Sequence, residues 1–138
     1  MKKNLLIVIS LIVAVILTGC GKQLTIEQIK VLKKYNGTYS GSAISSSINS
    51  NNCKDAEIIM NVENGKYNGD VKTEWGYLLR IKGTIGMENN TELIEGFFTN
   101  PYRVGNYGTY KGSFTDANIV TGKWNDALGC SGTFELKK

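Results

Sequence analysis

Two periodicities divide the chain. From Leu5 to Leu17 no residue is charged, and Met1-Lys2-Lys3-Asn4 in front of this run is basic. From Gly37 onward the period is two. In Gly37-Thr-Tyr39-Ser-Gly41-Ser-Ala43, one parity carries Gly, Tyr, Gly and Ala while the other carries Thr38, Ser40 and Ser42. The same code recurs in Gly65–Val71, Gly108–Phe114, Gly122–Trp124 and Cys130–Leu136. Such alternation belongs to half-buried antiparallel strands. It predicts eight of them, at about 38–46, 56–63, 66–74, 77–85, 91–98, 107–115, 118–125 and 129–137. Asn64-Gly65 is a hairpin signal, and Gly86–Asn90 and Asp116–Asn118 read as further turns.

Glycine weakens a strand, so its recurrence on the buried parity calls for a physical reason. It permits strong coiling and leaves room for an aromatic ring on the neighbouring strand. A small closed barrel needs both. The links are short, so the fold expected is all-β, an antiparallel eight-stranded meander barrel over residues 37–138, with a two-sheet β-sandwich as the alternative. Between these strands and the first apolar run, Thr25 and Gln28 form a capping box, and Leu24 and Ile29 take the staple positions. A short helix within residues 25–36 follows, ended at Asn36-Gly37. Lys30, Lys33 and Lys34 suit its carboxyl end. It reads as a helix packed on one end of the domain, with a basic membrane-surface segment as the other reading.

The first 19 residues have the parts of an export signal: a basic start, an apolar core and small residues after it. As a helix the core would span about 20 Å, short of the roughly 30 Å hydrocarbon layer. Leu17-Thr18-Gly19-Cys20 resembles the lipobox of bacterial lipoproteins. That resemblance implies acylation of Cys20, cleavage before it, and a tether over residues 20–24. It places the protein in the bacterial cell envelope, with membrane lipid as its first partner through Cys20. Family knowledge puts Asp after the Cys in many proteins kept at the inner membrane, and here Gly21 stands there. The outer membrane is therefore expected in a two-membrane cell, and the outer face of the plasma membrane otherwise.

Export changes the meaning of the three cysteines. With Cys20 given to lipid, Cys53 and Cys130 remain in a compartment that allows disulfides. Closing a loop of about 78 residues would constrain the unfolded chain by about 4 kcal/mol. On a meander barrel the two lie after the first strand and at the start of the last, which closure brings together. The net charge of +4 includes Lys2 and Lys3 of the signal. The remaining lysines are scattered, so no nucleic-acid face is expected.

No histidine occurs anywhere, which removes the commonest general base and metal ligand. Asp55 and Glu57 fall on the polar parity, and Thr121-Gly-Lys-Trp124 lacks the following Ser or Thr of a phosphate loop. No enzyme, cofactor or metal site is expected. The most irregular stretch, Thr99–Tyr107, holds the only proline with two tyrosines and an arginine. Tyr and Arg dominate binding hot spots, which makes Tyr102, Arg103 and Tyr107 the candidate partner-binding residues. Ser45–Asn52 reads as a polar, mobile loop ending at Cys53.

Thr121–Gly129 resembles the Gly-x-Trp strand of avidin-type barrels and of lipocalins. The match covers nine residues. In those families the motif opens the barrel, whereas here it falls in the last hairpin, so it carries the architecture and no ligand residue. The function expected is a membrane-anchored, non-enzymatic binding module engaging an envelope or extracellular partner. The alternative is a carrier of a small apolar ligand, with Gly41, Gly69, Gly83, Gly112 and Gly122 opening a cavity lined by Tyr39, Tyr67, Tyr110 and Trp124.

Overall fold

The structure, a computed structural model, describes residues 23–46 and 53–138. Cys20, the export signal and most of the Ser45–Asn52 loop lie outside the described residues. Helix α1 (Ile26–Leu32) runs into a 3-10 turn (Lys33–Tyr35) and then nine strands. These are β1 (Gly37–Ser45), β2 (Ala56–Glu63), β3 (Lys66–Thr73), β4 (Leu78–Thr84), β5 (Gly86–Glu88), β6 (Thr91–Asn100), β7 (Arg103–Asp116), β8 (Ile119–Asp126) and β9 (Ser131–Lys137).

All neighbours are antiparallel, in the order β4-β3-β2-β1-β9-β8-β7-β6-β5, and a further pairing of β4 with β6 closes the ring. The fold is the expected eight-stranded barrel, with β5 as one additional short strand, and not the open sandwich. The first and last strands pair along Ser40↔Lys137 to Ser45↔Gly132. The β5 strand corrects the expected Gly86–Asn90 turn. Asn89 and Asn90 both take positive φ (49° and 61°), making a two-residue hairpin turn that leaves Gly86–Glu88 free to pair with β6.

The ring closes through a broken seam. Arg80↔Thr99 and Gly86↔Leu93 share one register, so β4 and β5 run along β6 as a single interrupted strand. Between these pairs the ladder is missing, and two inward phenols occupy the gap. Tyr67 Oη donates to the Glu95 carbonyl at 3.0 Å and lies 3.0 Å from Tyr110 Oη. Tyr110 Oη lies 3.5 Å from the Lys82 carbonyl.

Glycine makes room for rings as the alternation implies. Gly83 pairs directly with Tyr67, Gly96 with Tyr110, Gly122 with Phe134 and Gly132 with Trp124. A Cβ on Gly96 would sit 2.7 Å from Tyr110 Oη, and one on Gly83 would sit 2.5 Å from Tyr67 Oη. The rings, with Met60, Val120, Ile94 and Leu136, form one continuous core.

The helix closes one end of this core. Thr25 and Gln28 make the reciprocal capping bonds at 2.9 and 3.2 Å. Leu24 and Leu32 pack over Gly65 at the β2–β3 turn, and the Tyr35 ring stacks 4.1 Å from Phe114. The Tyr39 phenol points at the carbonyls of Tyr35 and Ala117, 2.8 Å from each. Burial pushes that phenol up to about 12.

Candidate functional site: the rim opposite the helix

In an up-and-down barrel successive links alternate between ends. The helix, the β2–β3 turn, the Asn89-Asn90 turn, the β7–β8 turn and the C-terminus share one end, called proximal here. The β1–β2, β3–β4, β6–β7 and β8–β9 links share the other, the distal rim.

Three ties join the distal links in a row. Cys53 and Cys130 form a disulfide, with Cα atoms 5.5 Å apart, joining the β1–β2 link to the β8–β9 link. Asp55 accepts from Ser45 N at 2.9 Å, while its own carbonyl accepts from Glu74 N at 3.2 Å in the β3–β4 turn. Asp55 thus holds the loop, and Glu57, on the polar parity as expected, stands exposed on β2. The Asp126 carboxylate accepts from Leu128 N and Cys130 N, and Ala127 N donates to the Tyr107 carbonyl at 3.1 Å. The β3–β4 turn is thereby joined to the β1–β2 link, that link to the β8–β9 link, and the β8–β9 link to the base of the β6–β7 arm.

The expected loop at Thr99–Tyr107 is instead a hairpin arm. Strands β6 and β7 continue past the barrel and pair to Asn100↔Arg103, with register shifts along the way. Asn100 Oδ1 accepts from Tyr102 N at 2.8 Å, and Pro101 with its fixed φ turns the chain between them. This arrangement separates the three candidates. Tyr102 is 84% exposed at the tip and Arg103 is exposed beside it. Tyr107 is part-buried and packs on the core at the arm's base.

The structure adds residues that alternation does not flag. Trp75 and Tyr77 in the β3–β4 turn, Val104 on the arm and Leu128 in the β8–β9 link are all exposed, Leu128 at 83%. Trp75 stands under the Lys54 ammonium, 5.9 Å from the ring centre. The one available signal was composition: Thr73-Glu-Trp-Gly-Tyr77 places two aromatics in a turn, where a buried face is absent. Exposed apolar groups gathered at one end of a small domain mark an interaction site more often than scattered ones do.

Other exposed apolar side chains stand apart from these turns, with Ile26 and Val31 on α1 and Ile44, Ile59, Met87 and Phe97 along the strands. An open groove of about 1040 Å³ crosses the outer faces of β1, β9, β8 and β7, over Ser42, Glu135, Thr121, Lys111 and Lys123. It lies on the solvent side of the sheet, away from the core. Lys111 is held there by Glu88 at 2.9 Å, and exposed pairs of this kind add little stability. Within the barrel, Trp124 Nε1 is buried without a hydrogen-bond partner. Among the described residues no cluster of His, Cys, Asp or Glu has a metal-holding arrangement. No protein-family model, curated protein or solved structure matches the chain.

Proposed function

We propose that this chain is a bacterial lipoprotein whose barrel is a non-enzymatic binding module, holding its partner at the distal rim. Cys20 carries the lipid anchor, and the protein resides in the cell envelope, at the outer membrane of a two-membrane cell or otherwise on the outer face of the plasma membrane. One observation carries the reading. The tether enters at the proximal end, whereas Trp75, Tyr77, Tyr102, Val104 and Leu128 are exposed at the opposite one. A bilayer held at the first end leaves the second facing outward. Aromatic anchors beside Arg103 fit an envelope or extracellular protein, because rings supply contact area at low rotamer cost.

The carrier reading has less support. A small-ligand site takes about 300 Å³ or more, and the spaces opened by Gly83, Gly96, Gly122 and Gly132 are filled by the rings paired with them.

The test is affinity capture of the full lipidated chain from its own envelope, compared with a Tyr77→Ala, Tyr102→Ala, Leu128→Ala variant. Loss of a captured protein supports the rim. Unchanged capture by the variant removes the assignment, and an unacylated Cys20 in the purified chain removes the anchor.

A further inference from the structure

The barrel uses only one face of α1. Leu32 is buried and Ile29 partly so, whereas Ile26 is 76% and Val31 52% exposed. At about 100° per residue, the outward arc of α1 runs through Ile26, Lys30, Glu27 and Val31, and the exposed Lys33 and Lys34 follow directly in the 3-10 turn. Lys34 leans 3.3 Å from Glu92 and Lys30 lies 3.7 Å from Glu27. Lys33 makes no ion pair among the described residues. Arc and turn together combine two exposed aliphatic side chains with three lysines and one glutamate.

We propose that this face of α1 seats on an anionic lipid surface and so sets the barrel upright on the membrane. Ile26 and Val31 enter the boundary between headgroups and acyl chains, and Lys30 and Lys33 meet lipid phosphates. Amphipathic helices with basic polar faces bind membranes in this way. The inference rests on the lipoprotein reading, because the tether supplies its second argument. Residues 21–25 separate Cys20 from the helix, and that length of chain reaches at most about 20 Å. A lipid on Cys20 therefore confines α1 to the headgroup region, where its effective concentration is high enough for a weak surface to dock. Charge complementarity selects an anionic bilayer over a neutral one. The consequence is directional: a seated α1 turns the proximal end to the membrane and holds the rim away from it.

The test uses the full chain, processed in a bacterial envelope, purified with its disulfide intact and reconstituted into vesicles. Two vesicle types are compared: phosphatidylcholine alone, and phosphatidylcholine with phosphatidylglycerol. An environment-sensitive fluorophore is attached to a Val31→Cys variant and, as a control, to a Leu128→Cys variant. Shielding of the Val31 probe from an aqueous quencher, severalfold greater in anionic vesicles and absent at Leu128, is the expected result. That shielding is lost with Lys30→Gln and Lys33→Gln together, or near 1 M salt, where screening acts within about 3 Å. Equal quenching of the Val31 probe in both vesicle types overturns the proposal. The mass of the amino-terminal peptide separates the two claims. An acylated Cys20 with a fully quenched Val31 probe overturns the seating and leaves the anchor, whereas an unmodified Cys20 overturns both.

Discussion

Tyr67 and Tyr110 place their phenol oxygens 3.0 Å apart at the one seam of the barrel where the strands fail to pair continuously. Two hydroxyl protons there serve three contacts. Tyr67 donates to the Glu95 carbonyl, and the Tyr110 proton is shared between Tyr67 Oη and the more distant Lys82 carbonyl. Side chains from inside the barrel thereby stand in for ladder bonds between β4 and β6. Losing either hydroxyl leaves a backbone carbonyl poorly satisfied, so Tyr67→Phe and Tyr110→Phe should each cost about 1–2 kcal/mol. Because the groups form one network, the double variant should lose less than the sum. Equilibrium urea unfolding measures this, and strict additivity would show the phenols acting separately.

The glycines opposite these rings give a sharper test. A Cβ on Gly96 would lie 2.7 Å from Tyr110 Oη, so Gly96→Ala should destabilise by about 1–3 kcal/mol through overpacking. Adding Tyr110→Phe removes the atom in conflict and should restore part of that loss. A double variant no better than Gly96→Ala alone would place the strain elsewhere.

Alkaline pH should weaken the fold. A phenol in an unfolded chain loses its proton near pH 10. Burial pushes Tyr39 up to about 12 and also raises Tyr67 and Tyr110. Above about pH 10 the unfolded chain releases protons that the folded one retains. Stability that is fully present below pH 10 is therefore lost progressively toward pH 12. Lys34, Lys111 and Lys137, raised by hydrogen bonds and their acidic partners, act in the same direction. Thermal melts should stay level from about pH 7 to 9 and fall through this window, less steeply in Tyr39→Phe. Identical slopes in the two proteins would contradict the role given to Tyr39.

The Cys53–Cys130 bridge spans a sequence separation of 77 residues. Replacing both by Ser should cost about 2–4 kcal/mol. The loss should appear first at the rim, as faster hydrogen exchange around Asp126–Ser131 and Asp55, while β3 remains protected. Uniform acceleration along the chain would mean the bridge does not act as a rim fastener.

Much of this architecture is legible in the residues, because a period of two leaves few choices. The eight expected strands lie close to the observed ones, and the expectation that glycine on the buried parity leaves room for a ring on the neighbouring strand is met where Gly83 faces Tyr67. What is not legible depends on turn geometry. Asn89 and Asn90 look like part of a longer loop until both adopt positive φ and let β5 form. Pro101 and Gly105 read as loop, yet Asn100 and Pro101 together make a tight turn and the flanks pair. Tyr102 and Tyr107 look equivalent by composition, but only the arm's register shifts decide that one is at the tip and the other at the base. The rim also has no local signature. Trp75, Tyr102 and Leu128 are far apart in sequence and share an end only through the order of the strands.

In the proposed orientation the helix end meets lipid and the rim meets a partner. Site-specific photocrosslinking in the native envelope tests it most directly, with the photoactivatable residue at Tyr102 or Leu128 on the rim, at Val31 on the helix, and at Glu57 on the barrel wall. Protein adducts are expected from the two rim positions, lipid adducts from Val31, and neither in quantity from Glu57. Protein adducts concentrated at Glu57, with Tyr102 and Leu128 silent, would contradict it.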